Sequence, residues 1–324
     1  MLSLKAIGSS SSEVGYYARL GSEDYYVKGG EPPGVWWGSG AESLGLSGQV
    51  SGPELGNLLR GFSRDGRKSL VQNAGKPKRR SAFDLTWTVP KSVSVAWSQE
   101  SLEGRLAIER AGEAALSHVL EVVQHLCGVT RRGHGGSHVE TAKLAAGIFR
   151  HETARAVQGE TPDPNLHWHV VLLNLSVRED GTTGSLDGRA LFTPHMKMAL
   201  GALFRSELAK ELTAIGFSCY RPQRNGKEAS WFEIDAVPQE MLDAFSKRRK
   251  EIKTWLEERG LSGAKAAERA ANKTKHAKTE IVRDDLLVAW KDAGEQLGYR
   301  GRSHTPDGLL KPEVNTKADR KSVV

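Results

Sequence analysis

Cysteine is rare in this sequence, and no apolar run is long enough to cross a membrane. The 324 residues include two cysteines, Cys127 and Cys219, which are far apart and lack metal-ligand spacing. We therefore expect reduced thiols and exclude a disulfide scaffold. The N-terminal segment MLSLKAIGSSSSEVG has one lysine, a very short apolar run and no cleavage-like site, so it does not resemble a secretory signal. These features favour a cytoplasmic protein with no place in a membrane.

Acidic residues are outnumbered by basic ones, and the excess is uneven. Lysine and arginine total 46 against 39 acidic residues, which gives a net charge of +7 and a pI of about 9.3. Residues 60–80 carry eight Lys or Arg and one Asp, whereas residues 247–283 interleave their basic side chains with Glu. Such a balance is typical of proteins that bind a polyanion. A merely solvated surface is the alternative for both segments.

Strand-like and helix-like patterns alternate along the first 236 residues. Alternating polar and apolar residues predict strands, and longer amphipathic segments predict helices. The predicted strands are Leu2 to Ala6, the strand-like segment 81–98, whose alternation Pro90 interrupts, 145–155, 163–177 and the segment SWFEIDAV. The predicted helices are 52–62, 102–127 and 195–215. This order predicts an α+β fold in which helices pack on a mostly antiparallel sheet.

The composition changes near residue 236. The segments PQEMLDAFSKRRKEIKTWLEERG and IVRDDLLVAWKDAGEQLG are predicted helices, joined by a charged linker rich in Ala and Lys. The last two dozen residues have no periodicity. We therefore predict a catalytic region over residues 1–236, a helical region over 237–300, and a tail or truncated linker over 301–324.

The segment DPNLHWHVVLLNLSV, residues 163–177, gives the strongest chemical signal. In a strand, His167 and His169 project to one side and Trp168 to the other. Two neutral imidazoles suit a borderline metal ion, but a tight site needs a third ligand. His151, in FRHETAR, would lie opposite the pair if the two strands form a hairpin. The competing third ligands are His134 and His138. The alternative without a metal is a set of satisfied, half-buried histidines.

Tyrosine is also scarce, and its distribution is uneven. Four of the six tyrosines form two adjacent pairs in VGYYARLGSEDYYVKGG: Tyr16, Tyr17, Tyr25 and Tyr26. Phenols beside a basic, metal-binding sheet suit attack on a phosphodiester, because tyrosine can store the broken bond as a phosphotyrosine. Aromatic packing in a helix that shields the sheet is the alternative.

Taken together, these motifs resemble the relaxase domain of MobF-type (TrwC/TraI-like) conjugative relaxases, members of the HUH endonuclease superfamily. The likeness rests on the paired tyrosines, DLTWTVPKSVSV, FRHETAR and DPNLHWHVVLLN, in the same order over roughly residues 1–300. It implies a central, mostly antiparallel five-stranded sheet, the palm, flanked by helices, and C-terminal helical fingers that close over single-stranded DNA. The family's helicase part is not in this sequence, which suggests a truncation or a small relaxase.

The resemblance implies roles for seven residues. The metal ligands are His151, His167 and His169; the catalytic residues are Tyr16 as primary nucleophile, Tyr25 as second strand-transfer tyrosine, Asp84 as acidic residue and Lys278 near the scissile phosphate. Asp84 could accept the Tyr16 proton or orient a ligand histidine, and the sequence leaves both open.

The implied activity is site- and strand-specific DNA nicking and strand transfer at a plasmid origin of transfer through a 5′-phosphotyrosyl intermediate. The implied cofactor is a divalent metal ion, Mg²⁺ or Mn²⁺, with Zn²⁺ or Ni²⁺ possible in crystals. The implied partners of this monomer are single-stranded and hairpin DNA, with accessory relaxosome and coupling proteins. We expect DNA contacts along residues 60–80 and 81–98, and Trp255 either stacks on a base or belongs to the core. The alternatives are a replication-initiator or transposase HUH nuclease, a DNA-binding module with a structural metal, and a metal hydrolase of small molecules.

Overall fold

The structure, a computed structural model, describes residues 1–20, 31–224, 226–235, 237–276, 281–304 and 310–312. Its strands are β1 (Leu2–Gly8), β2 (Val35–Trp37), β3 (Arg80–Thr88), β4 (Val129–Arg132), β5 (His138–Thr141), β6 (Lys143–Thr153), β7 (Pro164–Val177), β8 (Thr183–Gly184), β9 (Cys219–Tyr220), β10 (Gln223–Arg224), β11 (Lys227–Glu228), β12 (Glu233–Ile234), β13 (Arg302–His304) and β14 (Leu310–Pro312). Its helices are α1 (Ser11–Leu20), α2 (Ser39–Ser43), α3 (Gly52–Leu59), α4 (Lys91–Gln99), α5 (Leu102–Cys127), α6 (Pro194–Ala214), α7 (Gln239–Ala244), α8 (Lys247–Glu257), α9 (Ala264–Lys273) and α10 (Arg283–Gln296). Among these described helices, none has the length and apolar character that a membrane span requires.

One antiparallel sheet organises the larger part of the molecule. Its strands lie in the order β1-β3-β7-β6-β2, and the short strand β8 adds to β7, so the sheet has six strands. Every pairing between these described strands is antiparallel. The predicted α+β fold around a mostly antiparallel sheet is therefore confirmed, with β8 in addition to the five strands expected.

Strand β7 separates two hydrophobic clusters, because alternate side chains of a strand point to opposite faces. Trp168 and Val170 belong to the cluster formed with α4, α5, α6 and α10. Val171 belongs to the other cluster, which lies against α1 and α3. His167 and His169 alternate in step with Val171, so they project from the α1 face of the sheet. The fold thus places the histidine pair under the helix that carries the first tyrosine pair.

The segment after β3 corrects one prediction. Pro90 follows the strand, but Lys91–Gln99 forms the helix α4 rather than a resumed strand. Residues 92–99 of this helix are all buried. A helix buried on every side has no amphipathic period, and a short apolar run cannot be assigned to helix or strand by periodicity alone. The strand prediction for 91–98 was therefore wrong.

Most other predicted elements agree with the structure to within a few residues. Helix α5 matches its predicted bounds, and Ser101 caps it by accepting a hydrogen bond from the Gly104 amide at 3.2 Å. Helix α6 begins at Pro194, after the N-cap Thr193. In the described part of the segment SWFEIDAV, two residues form the strand β12, which pairs with β9.

The C-terminal helices differ in how deeply they are buried. Met241 of α7 and Trp290 of α10 belong to the cluster behind the sheet. Helix α8 has no buried residue, and α9 buries Ala270 alone. Helices α7 and α10 are therefore part of the core, whereas α8 and α9 form an exposed unit, which we call the helical arm (residues 247–273).

Candidate metal centre and its surroundings

Three histidines meet near the closed end of the β6–β7 hairpin. His151 is paired with His167 across the two strands, and His169 follows on the same face of β7. Ring nitrogens of the three residues all lie within 4.8 Å of one another. His151 and His167 are buried, and His169 is partly buried. The structure thus brings the three expected ligands together, in a set that suits a divalent ion with open coordination positions.

Hydrogen bonds orient two of these rings. His167 Nδ1 lies 2.8 Å from the carbonyl oxygen of Asn165, the shorter of its two contacts with that residue. His169 Nδ1 lies 2.9 Å from Asp84 Oδ1. A proton on Nδ1 in both bonds leaves each Nε2 lone pair for a metal ion. Burial, followed by the charge of His169, lowers the pKa of His167 to about 4, so this ring is neutral at neutral pH and fits a cation.

Asp84 is a buried carboxylate on the neighbouring strand β3. Besides the bond from His169, it accepts hydrogen bonds from the Tyr17 hydroxyl at 2.8 Å and the Thr86 hydroxyl at 3.1 Å. Burial alone would raise its pKa, but these bonds, led by the one from His169, hold the pKa of Asp84 below its usual range. The carboxylate is therefore placed to orient His169, which is one of the two roles that the sequence left open.

Helix α1 carries the first tyrosine pair over the same face of the sheet. Tyr17 is 3% exposed and belongs to the cluster against α1 and α3, whereas Tyr16 is partly buried at its edge. The two rings meet edge to face, with their centroids 4.9 Å apart. Burial, followed by the charge of Asp84, raises the pKa of Tyr17 far above its usual value. Tyr17 is therefore a protonated donor, and Tyr16 is the more accessible phenol of the pair.

Two of the expected catalytic residues cannot be placed in the site, and two competing metal ligands lie away from it. Tyr25, Tyr26 and Lys278 fall outside the described residues. His134 and His138, the competing metal ligands, are exposed at the tip of the β4–β5 hairpin and are not members of the histidine cluster. Their exposure favours a surface role over metal ligation.

Buried charges lie behind the triad, on the opposite face of β6. Arg283, the first residue of α10, donates to both carboxylate oxygens of Glu152 at 2.8 Å. Arg150 lies 3.5 Å from Glu152 and 2.6 Å from Glu109 of α5. This network ties α5 and α10 to the strand residues on either side of His151.

A different surface lies toward the far end of β7. A cavity of about 560 Å³ is lined there by four arginines: Arg131, Arg132, Arg178 and Arg189. We call this region the arginine surface. Arg131 and Arg189 both contact Asp187, at 2.9 and 2.6 Å, and Arg132 contacts Asp180 at 2.7 Å. These partly exposed ion pairs are individually weak, so their guanidinium groups can also bind an anion.

Sequence reasoning missed several groups near the centre. Thr86 could have been found, since it lies two residues beyond Asp84 in a strand and shares its face. Glu31, a buried acid whose Oε2 is 3.8 Å from His151 Nε2, gave no local signal. The Tyr17–Asp84 and Arg283–Glu152 contacts join residues 67 and 131 positions apart, which no local pattern reveals.

The sheet, the three histidines and the adjacent tyrosine helix fit the metal site of the HUH class of endonucleases. The chain belongs to the TrwC relaxase family, whose model matches residues 10–297.

Relatives of known function and solved structures support this assignment. The multifunctional conjugation protein TraI of Escherichia coli is 30% identical over 98% of this chain, and the strain K12 protein of the same name is 29% identical over 98%. The chain spans 17% of the length of either relative. A metal-bound structure of the conjugative relaxase TrwC in complex with oriT DNA has a TM-score of 0.76 at 30% identity, covering 92% of this chain and 99% of that chain. TrwC complexed with a 27-mer DNA comprising the recognition hairpin and the cleavage site has a TM-score of 0.70 at 28% identity, with the same coverage.

Proposed function

We propose that this protein nicks one DNA strand at an origin of transfer and remains joined to the cut strand through Tyr16, which would initiate conjugative transfer. The observation that carries the proposal is the cluster of three histidines, with ring nitrogens within 4.8 Å, under the helix that bears the tyrosine pair. Membership of the TrwC relaxase family supports DNA at an origin of transfer as the substrate of this site.

The chemistry follows from the accessible phenol of Tyr16 and the three clustered imidazoles. The Tyr16 oxygen attacks the phosphorus, the bond to the 3′ oxygen breaks, and the products are a 5′-phosphotyrosyl strand and a free 3′-hydroxyl. A divalent ion, Mg²⁺ or Mn²⁺ in our proposal, would be held by His151, His167 and His169 and would draw charge from the non-bridging oxygens. Asp84 keeps His169 in the ligating orientation. Because the phosphotyrosyl bond retains the energy of the cut bond, joining needs no nucleotide cofactor, and Tyr25 would accept a second strand.

We assign contact with the duplex part of the substrate to the arginine surface. The β4–β5 hairpin is an exposed two-stranded ribbon, a shape that the major groove admits. Gln72 and Asn73, from the basic segment 60–80, line the same cavity as the four arginines of the arginine surface. Residues 81–98, the other expected DNA contact, are largely buried in β3 and α4, so that expectation was wrong.

We assign the single-stranded part of the substrate to the helical arm. Lys265, Arg269 and Lys273 follow one another at intervals of four along α9, which places them on one face, and all three are exposed. Such a row of cations can track a phosphate backbone. Trp255 is partly buried, and the guanidinium carbon of Arg259 lies 4.3 Å from its ring centroid, so one ring face is already covered. We further propose that the protein acts as a monomer in the cytoplasm, together with accessory relaxosome and coupling proteins.

The test is a covalent-adduct assay. Labelled single-stranded oligonucleotides covering a candidate origin, with its inverted repeat, are incubated with protein and Mg²⁺ or Mn²⁺, then separated under denaturing conditions. We expect a protein–DNA adduct in the wild type and in Tyr220→Phe, which alters an exposed tyrosine of β9. Tyr16→Phe should form none, because the ring remains but the nucleophilic oxygen is gone.

Two outcomes would contradict the proposal. An adduct that persists in Tyr16→Phe would place the nucleophile elsewhere, with Tyr25→Phe as the next variant to measure. Tight DNA binding with no adduct under any metal condition would favour the DNA-binding module with a structural metal.

A further inference from the structure

We propose that Tyr17 is a positioning residue, whose hydroxyl anchors the helix of Tyr16 to the carboxylate that orients His169. The second tyrosine of the pair is thus not a spare nucleophile but the link between the nucleophile's helix and the metal centre. This inference rests on the function proposed above and adds a role for a residue that the chemistry there does not use.

Asp84 is the joint of this arrangement. Its Oδ2 lies 2.8 Å from the Tyr17 hydroxyl, and His169 Nδ1 lies 2.9 Å from Oδ1 and 3.0 Å from Oδ2. Thr86 supports Oδ1 from within β3, at 3.1 Å. An ionised carboxylate only accepts hydrogen bonds, so the Tyr17 hydroxyl is the donor. Without that hydroxyl, Oδ2 would lack the one bond that reaches it from α1.

Burial separates the roles of the two tyrosines. Tyr17 is 3% exposed and packs among the buried residues under α1 and α3, such as Ile7 and Leu55. A phenol held there cannot approach a phosphate without leaving the core and breaking its bond to Asp84. Tyr16 is the neighbouring residue on the helix, about 100° around its axis, and reaches the edge of the cluster.

The contact between the two rings transmits the position of one to the other. Their centroids are 4.9 Å apart with planes at 82°, an edge-to-face contact. Fixing the hydroxyl of Tyr17 on Asp84 therefore fixes the height and rotation of α1 where Tyr16 projects. Proximity and orientation of a nucleophile strongly affect rate, so a small shift of this helix should slow attack more than it weakens DNA binding.

The experiment compares Tyr17→Phe with Tyr299→Phe, a control that removes the hydroxyl of another buried tyrosine. Adduct formation is measured in single turnover at saturating DNA, and Mn²⁺ affinity of the DNA-free protein is measured by calorimetry. For Tyr17→Phe we expect a rate about tenfold lower, an unchanged Kd for DNA and Mn²⁺ binding weakened by about threefold, since the variant lacks a hydrogen bond to a charged group. Tyr299→Phe should change none of the three.

A double-variant cycle separates positioning from a general decrease in stability. If Tyr17 acts through Asp84, then Tyr17→Phe should have no further effect on the rate in an Asp84→Asn background. Equal rates and Mn²⁺ affinities for Tyr17→Phe and wild type would overturn the inference, as would an undiminished effect in that background. An adduct that is absent in Tyr17→Phe but present in Tyr16→Phe would make Tyr17 the nucleophile and also overturn it. If the wild type forms no adduct, the proposed function fails, and the calorimetric arm alone then decides whether Tyr17 supports the metal centre.

Discussion

The two ends of strand β7 present opposite kinds of surface. At its start, His167 and His169 are shielded and held by hydrogen bonds to Asn165 and Asp84. Toward its end, the arginine surface displays charged groups that are partly exposed and paired with carboxylates. At about 3.3 Å per residue, the ten residues from His167 to Val177 separate these surfaces by roughly 30 Å. In the proposed function, bond-making chemistry would rely on groups withdrawn from water, and DNA recognition would rely on charges exposed to it.

The difference has a physical cause on each side. A buried, neutral imidazole can ligate a cation without first losing a proton, and fixed partners reduce the cost of orienting it. An exposed guanidinium keeps its water and its mobility, so it can exchange a carboxylate for a phosphate at little cost. In the proposed function, the strand that joins them would keep a duplex bound at the arginine surface at a set distance from the metal centre.

The largest expected effect on adduct formation comes from removing a metal ligand at the start of β7, with the arginine surface left intact. For His167→Ala we expect adduct formation to fall at least about a hundredfold and Mn²⁺ binding to weaken by a similar factor, because one of three ligands is removed. Binding of a short hairpin DNA, measured by fluorescence anisotropy, should stay unchanged. His195→Ala, at an exposed histidine, is the control. Failure of His167→Ala to bind the hairpin would show that the two ends are not independent.

A stability measurement compares a shielded ion pair with an exposed one. Arg283→Met leaves the buried Glu152 without its bidentate partner, and we expect a decrease of about 2–4 kcal/mol in the free energy of unfolding. Arg189→Met breaks an ion pair whose arginine side chain is 67% exposed, and we expect no measurable change in the free energy of unfolding. Urea denaturation followed by circular dichroism measures both. Similar decreases in the two variants would remove the distinction between these pairs.

The histidine cluster could be predicted from the sequence better than the residues that hold it in place. Strand alternation and one hairpin sufficed to bring His151 opposite His167, because both rules are local. Asp84, by contrast, was predicted as a site residue only from the resemblance to the family. Its hydrogen bond to Tyr17 depends on how α1 packs over β3. Packing of that kind joins residues far apart in the chain, and no periodicity encodes it. Helix α4 was misjudged for a related reason, since its burial on every side comes from its neighbours rather than from its own pattern.

The arginine surface left the weakest trace in the sequence. The basic segment 60–80 has a high charge density, but Arg132 ends strand β4 and Arg189 lies in a turn before α6. Each of these two arginines is paired with an aspartate in the folded chain. Only the folded chain places them around one cavity. A surface formed by residues that are far apart in the chain cannot be predicted from local composition.

The smallest expected effect tests that surface. For duplex DNA, the slope of log K against log salt concentration is negative. It should become shallower by about 0.9 for each phosphate that the protein no longer neutralises. Arg132→Gln should therefore weaken hairpin binding a few-fold at low salt and reduce the slope by the equivalent of one phosphate, while adduct formation at saturating DNA stays at the wild-type rate. Arg221→Gln, which removes an exposed arginine near β9, is matched in charge and should leave both quantities unchanged. A slower adduct rate at saturating DNA in Arg132→Gln would mean that this surface also positions the scissile phosphate. An unaltered salt slope would place the duplex elsewhere on the protein.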